Sequence, residues 1–170
     1  MRSAKICIIG DFAVGKTSTV ARFVKNEFSE KYLTTVGVKI DTKEVDTPAG
    51  RVKLIIWDVA GTDCLSDIEF AYLRGSAGFI LVADGTRAST LESAIRLKAD
   101  IFAEYGELPF VAILNKSDLS EAWEVGHDDL ATSRGAGVDW IATSAKTGEG
   151  VALAIETLAT SITSTSAGST

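Results

Sequence analysis

The chain is poor in the residues that staple, break or metallate a fold: two cysteines, two prolines, one histidine and one methionine among 170 residues. Cys7 and Cys64 lie far apart and match neither a CxxC pair nor a disulfide framework. The lone His127 has no neighbour of the kind a zinc site needs and reads as a solvated surface residue. Long apolar runs are also missing. None approaches the ~18 residues that cross a bilayer, and Ile6–Ile9 is too short for a secretory core. A basic excess is absent as well: 17 Lys and Arg face 23 Asp and Glu, a formal net charge of −6. That balance disfavours a nucleic-acid partner. The expected setting is cytoplasmic.

What is present suits one globular domain. Apolar residues make up 46% of the chain, and a domain of this length buries about two-thirds of its unfolded surface without covalent staples. Ala4–Ile9, Phe79–Ala83 and Phe110–Leu114 are nearly continuous apolar segments, the pattern of strands covered on both faces. Val38–Val45 and Arg51–Trp57, separated by Pro48, Ala49 and Gly50, read as an antiparallel hairpin, and Val138–Ala142 as a last strand. Helical spacing follows Lys16 through Val20, Phe23 and Val24. It recurs at Ala94, Leu97, Ile101 and Tyr105 behind a capping-box pair, Ser89 and Glu92, and again at Val151, Ile155, Leu158 and Ile162. A weaker helix falls within Glu121–Arg134. From Thr160 onward the composition turns to Ser, Thr, Ala and Gly, which predicts fraying; the domain is expected over 1–162, with 163–170 as a tail. Alternation of strands and helices predicts an α/β three-layer sandwich. Ligands of such sheets lie beyond the carboxyl ends of the strands.

Directly after the first strand comes Gly10-Asp11-Phe12-Ala13-Val14-Gly15-Lys16-Thr17, a G-x-x-x-x-G-K-[ST] phosphate-binding loop in strand–loop–helix context. The glycines let backbone N–H groups converge on phosphates, and the following helix turns its positive end toward the same anion. Lys16 would bridge the outer phosphates, and the Thr17 hydroxyl would ligate Mg²⁺.

Further motifs stand at later strand ends, in order: Trp57-Asp58-Val59-Ala60-Gly61, Asn115-Lys116-Ser117-Asp118 and Thr143-Ser144-Ala145-Lys146. They resemble the WDxAG, NKxD and SAK motifs of P-loop GTPases. With the phosphate loop they cover residues 10 to 146 at spacing close to that of the Ras superfamily. The resemblance is greatest to the Rab branch and takes in prokaryotic Ras/Rab-like proteins. It implies a six-stranded, mostly parallel sheet with one antiparallel edge strand and about five helices. It also implies GTP/GDP as bound ligand and Mg²⁺ as cofactor. Asp11, Phe12, Ala13, Val14, Gly15, Lys16, Thr17 and Ser18 would surround the phosphates. Asp118 would accept from guanine ring and amine donors that adenine cannot supply together. Asn115 would hold the base edge and its loop, Ser144 and Ala145 would line the guanine oxygen, and the stems of Lys116 and Lys146 would cover the ring. Asp58 would hold Mg²⁺ through water, with the Thr17 and Thr35 hydroxyls as its ligands. Tyr32 and Thr35 belong to a segment that resembles switch I. Gly61 would sense the γ-phosphate, and Lys16, Thr35, Gly61 and Thr62 would form the hydrolytic set. Phe28 sits where these proteins place an aromatic edge against guanine, and core packing accounts for it equally.

The departures fall on hydrolysis and anchoring. Thr62 stands where the family usually carries the Gln that orients the attacking water, and Phe12 stands where the loop usually has a small residue. Both imply a low intrinsic hydrolysis rate. The sequence given ends Ser166-Ala167-Gly168-Ser169-Thr170, without the family's prenylated cysteine: either the sequence is a truncated piece, or the protein works without a lipid anchor and is recruited through protein contacts. The implied partners are effectors and exchange or activating proteins that meet switches near residues 30–39 and 59–74. The rival readings are a non-cycling GTP-bound scaffold and, disfavoured by Asp118, a P-loop kinase or ATPase. Trp57 and Trp140 read as packing residues and Trp123 as either packing or recognition. Cys7 reads as a small buried hydrophobe and Cys64 as part of the second switch.

Overall fold

Six strands form one sheet in the order β2-β3-β1-β4-β5-β6. In this computed structural model the described residues are 2–11, 13–25, 38–59 and 71–167. The strands are β1 (Arg2–Gly10), β2 (Val38–Thr47), β3 (Gly50–Val59), β4 (Gly78–Asp84), β5 (Phe110–Asn115) and β6 (Trp140–Ala142). Only β2 runs antiparallel, pairing with β3 from Val38↔Val59 to Thr47↔Gly50. The other neighbours are parallel. The expected architecture is the observed one, with four α-helices among the described residues: α1 (Lys16–Lys25), α2 (Ser89–Tyr105), α3 (His127–Gly135) and α4 (Val151–Ala167). A 3-10 turn spans Ser120–Ala122.

The continuous apolar runs are explained by the two faces of the sheet. Ile6 and Ile8 of β1 turn to one face, where Val20 of α1 and Ala154, Ile155, Leu158 and Ile162 of α4 cover them. Cys7 and Ile9 turn to the other, against Phe79, Leu81 and the α2 residues Ala94 and Ile101. A smaller cluster joins Ala83, Leu91, Leu114 and Val125. Ile155 and Leu158 are essentially inaccessible, so truncating either to alanine is expected to cost about 3 kcal/mol. Trp57 packs in a tilted contact with Tyr72 beneath the Lys5 ammonium. Trp140 lies partly buried between two clusters. Trp123 packs so closely on Gly85 that a Cβ there would stand 2.1 Å from its ring, which resolves it as a packing residue. Cys7 is buried, beside Ser76 at 3.3 Å, and burial pushes its thiol pKa up.

Three expectations are corrected. Ser89 does not cap α2: the cap position is Ala88, in helical conformation and without a side-chain cap bond. Instead the Glu124 carboxylate, distant in sequence, accepts from the Ala88 N–H at 2.9 Å. The last helix does not fray at Thr160 but continues to Ala167. Ile162 and Thr163 are buried there, and the Thr163 hydroxyl donates to the Ala159 carbonyl, so tertiary packing overrides a weak local composition. The last strand is shorter than expected, beginning at Trp140 and not at Val138. No helix among the described residues is long and apolar enough to cross a membrane.

Candidate functional site

Strand order reverses direction around β1, and the loop leaving β1 lies where such sheets bind ligands. Its backbone adopts conformations that only a tight curl requires: φ is 61° at Ala13 and 104° at Gly15. A Cβ on Gly15 would stand 2.2 Å from Asn115 Nδ2, so glycine is demanded by space as well as by conformation. Asn115 Nδ2 donates to the Val14 carbonyl at 3.0 Å, tying the loop to the end of β5. Lys16, 7% exposed, donates from Nζ to the carbonyls of Gly10 at 3.0 Å and Asp11 at 2.9 Å, so its ammonium is held over the loop. Ser18 follows in the first turn of α1, half-buried.

At the end of β3, the Thr17 hydroxyl donates to Asp58 Oδ2 at 2.6 Å. Asp58 is 1% exposed. Burial raises its pKa, the Thr17 hydroxyl and the ammoniums of Lys16 and Lys39 oppose that rise, and Asp41 adds to it. A buried carboxylate and a hydroxyl converging beside a phosphate-type loop suit Mg²⁺, which takes one or two protein oxygens and completes its shell with water and phosphate.

A second assembly joins the ends of β5 and β6. Asn115 Oδ1 accepts from the Ala145 N–H at 3.1 Å and from the Thr143 hydroxyl at 3.4 Å. Exposed Asp118 accepts at Oδ1 from Ser144 Oγ at 2.7 Å, and Ser144 Oγ in turn accepts from the Thr147 N–H. The Ala145 N–H is engaged by Asn115, whose amide ties the phosphate loop to the segment that follows β6. The Lys116 ammonium points to Asp84 Oδ2 at 2.8 Å, with Lys116 itself at a φ of 71°. Lys146 is exposed, and its carbonyl accepts from Arg22 Nη2.

Thus Asp11, Ala13, Val14, Gly15, Lys16, Thr17 and Asp58 are brought together at one end of the sheet, and Asn115 connects them to Asp118, Ser144 and Ala145. Phe12, Phe28, Tyr32, Thr35, Gly61 and Thr62, and Cys64 with them, lie outside the described residues. Sequence reasoning missed two contributors. Arg22, on α1, donates from Nε to the Ala145 carbonyl at 2.8 Å. Asp84 ends β4 fully buried, and its signal was available: an acid closing an apolar strand at the carboxyl edge of a parallel sheet.

Comparison with known proteins agrees with this geometry. Residues 5–164 match the Ras family. The Ras-related protein Rab-25 of Homo sapiens is 38% identical over 157 residues, covering 91% of this chain and 73% of its own. RABA5a of Arabidopsis thaliana is 36% identical over 157 residues, covering 91% and 71%. Rab11C of Lotus japonicus is 34% identical over 161 residues, covering 93% and 74%. The chain belongs to the Ras family, as a small GTPase of its Rab branch.

Proposed function

We propose that this GTPase is a slowly hydrolysing guanine-nucleotide switch with the metal held by Thr17, Asp58 and Thr35. The observation that carries the reading is the junction at Asn115: one buried side chain joins the phosphate loop through Val14 to the base loops through Ala145. A ligand with phosphates at one end and a base at the other fits that span. Lys16 and the loop N–H groups bind the phosphates. Asp118 discriminates guanine by accepting two of its donors. Mg²⁺, when bound, neutralises phosphate charge. Thr35 and Gly61 contact the γ-phosphate, whose loss releases the segments near residues 30–39 and 59–74 and the effectors that read them.

Hydrolysis is slow because Thr62 has no amide with which to orient water, and because the Phe12 side chain takes room beside the γ-phosphate. Exchange and activating proteins therefore control the cycle. Two measurements test the reading. GDP should displace a fluorescent guanine nucleotide at far lower concentration than ADP does. In single-turnover assays, Thr62→Gln should raise the hydrolysis rate by roughly tenfold or more. Equal potency of ADP removes the guanine assignment, and an unchanged rate removes the role of Thr62.

A further inference from the structure

Asp84 ends β4, the strand between β1, which carries the phosphate loop, and β5, which leads to Lys116, and it is the most fully partnered carboxylate among the described residues. Its Oδ2 accepts from Lys116 Nζ at 2.8 Å and from Arg87 Nε at 3.0 Å. Its Oδ1 accepts from the Thr86 N–H at 2.8 Å and the Thr86 hydroxyl at 2.6 Å. The same corner is closed from outside. The N–H groups of Glu124 and Val125 donate to the Gly85 carbonyl, and the Gly85 N–H donates to the Asn115 carbonyl. Trp123 seals Gly85 from above. Lys116 meanwhile sits at a positive φ, a conformation that a non-glycine residue keeps only when its surroundings fix it. The backbone is held there by the Leu119 N–H, which donates to the Lys116 carbonyl, and by the Ser117 N–H, which donates to the Thr143 carbonyl; the Asp84 ion pair anchors the ammonium and so sets the path of the four-carbon stem.

We propose that Asp84 is a positioning residue for nucleotide retention: it pins the Lys116 ammonium so that the stem of Lys116 forms a preset wall against the face of the bound base. This rests on the guanine-nucleotide reading above. A pinned stem contributes to binding without losing rotamer freedom when the base arrives, so Asp84 lengthens nucleotide residence without touching the nucleotide. The contact is with the ring face and is blind to the exocyclic groups. Asp84 therefore acts equally on any purine that Asp118 admits.

The test follows the release of fluorescent GDP and of fluorescent IDP, which lacks the exocyclic amine, from the full chain with Mg²⁺ present. Asp84→Asn is expected to speed both releases by about tenfold, the size of one charge-assisted hydrogen bond, and to leave their ratio unchanged. Lys116→Met retains an apolar stem and leaves Asp84 with Arg87 and Thr86, so it carries the test even if Asp84→Asn folds poorly. It is expected to speed release by a similar factor. The double variant should release no faster than Lys116→Met alone. Wild-type release rates in both single variants overturn the proposal. So do factors that multiply in the double variant, and so does a changed GDP-to-IDP ratio, which would mean general loosening that reaches Asp118. A wild-type chain that binds no guanine nucleotide overturns the underlying reading as well, and is told apart by that control.

Discussion

Asp58 and Asp84 stand at the carboxyl ends of β3 and β4, the two strands that flank β1, and both are removed from solvent. They are nevertheless opposite in character. Asp58 has a neutral donor, the Thr17 hydroxyl, and burial leaves its pKa raised. Burial would also raise Asp84, but Lys116, Thr86 and Arg87 outweigh it and hold the pKa below its usual value. Equal burial with unequal partnering separates a carboxylate with one neutral donor from one that already holds two cations. Groups left electrostatically unsatisfied mark binding sites, whereas saturated ones mark scaffold. Here the scaffold carboxylate braces the base loop, and the unsatisfied one faces the phosphate loop.

The sharpest way to break this contrast is to neutralise each aspartate. Asp58→Asn should lower GDP affinity in excess Mg²⁺ by about a hundredfold, and should abolish the acceleration of release by EDTA. Release rates with and without chelator provide the check, and a persisting EDTA response would show that Asp58 is not a metal ligand. Asp84→Asn should leave the EDTA response intact. It should instead destabilise the nucleotide-free protein by about 2 kcal/mol in urea unfolding, because two cations and a hydroxyl lose their carboxylate. If both substitutions moved both readouts together, the two aspartates would form one site.

How much of this was legible in the sequence follows the same division. Motif residues such as Gly15, Lys16, Thr17 and Asp58 are contiguous with the strands that carry them, so their grouping at one edge follows from a parallel sheet alone. The core was legible for a similar reason. Continuous runs at Ile6–Ile9 and Phe79–Ala83 require two covered faces, and the spacing of Val151, Ile155, Leu158 and Ile162 names the face of α4 that covers one of them. What sequence could not supply were long-range polar choices. The cap on α2 comes from Glu124, 36 residues from Ala88, and the local Ser89–Glu92 pattern gives no hint of it. The Lys116 side chain has two chemically sensible destinations, the nucleotide and Asp84, and only tertiary geometry reveals that its ammonium takes the second. The persistence of α4 past Thr160 depends on the burial of Ile162 and Thr163 against the sheet layer, which composition does not encode.

A smaller effect lies in the acid dependence of stability. For Asp58 the folded pKa is raised, so over that interval the native state binds more protons than the unfolded chain, and stability falls as pH rises through the folded value. Asp58→Asn should therefore stabilise the nucleotide-free protein at pH 7. That gain should vanish below about pH 3.9, where the unfolded carboxyl is protonated too. Asp84 has the reverse sign. Its contribution is fully present above the unfolded value and is lost as pH falls through the lowered folded one. Urea unfolding at several pH values should thus show the two variants converging on wild type from opposite sides upon acidification. Convergence from the same side would mean that both carboxylates are equally satisfied.

The smallest expected effect tests whether the Asp84 corner is one unit or several. Glu124→Gln keeps an acceptor for the Ala88 N–H but removes a negative charge at the start of α2, where the helix dipole favours one. Exposure at Glu124 limits the loss to about 0.5 kcal/mol, readable as a shift in urea midpoint. Release of GDP should stay at the wild-type rate. The backbone bonds from Glu124 and Val125 to Gly85 do not depend on the side chain, and neither does the ion pair of Asp84 with Lys116. Faster release in Glu124→Gln would couple the helix cap to the base loop. The relevant contrast would then lie between Asp58 beside the phosphate loop and an entire electrostatic cluster, with Asp84 as one member of it.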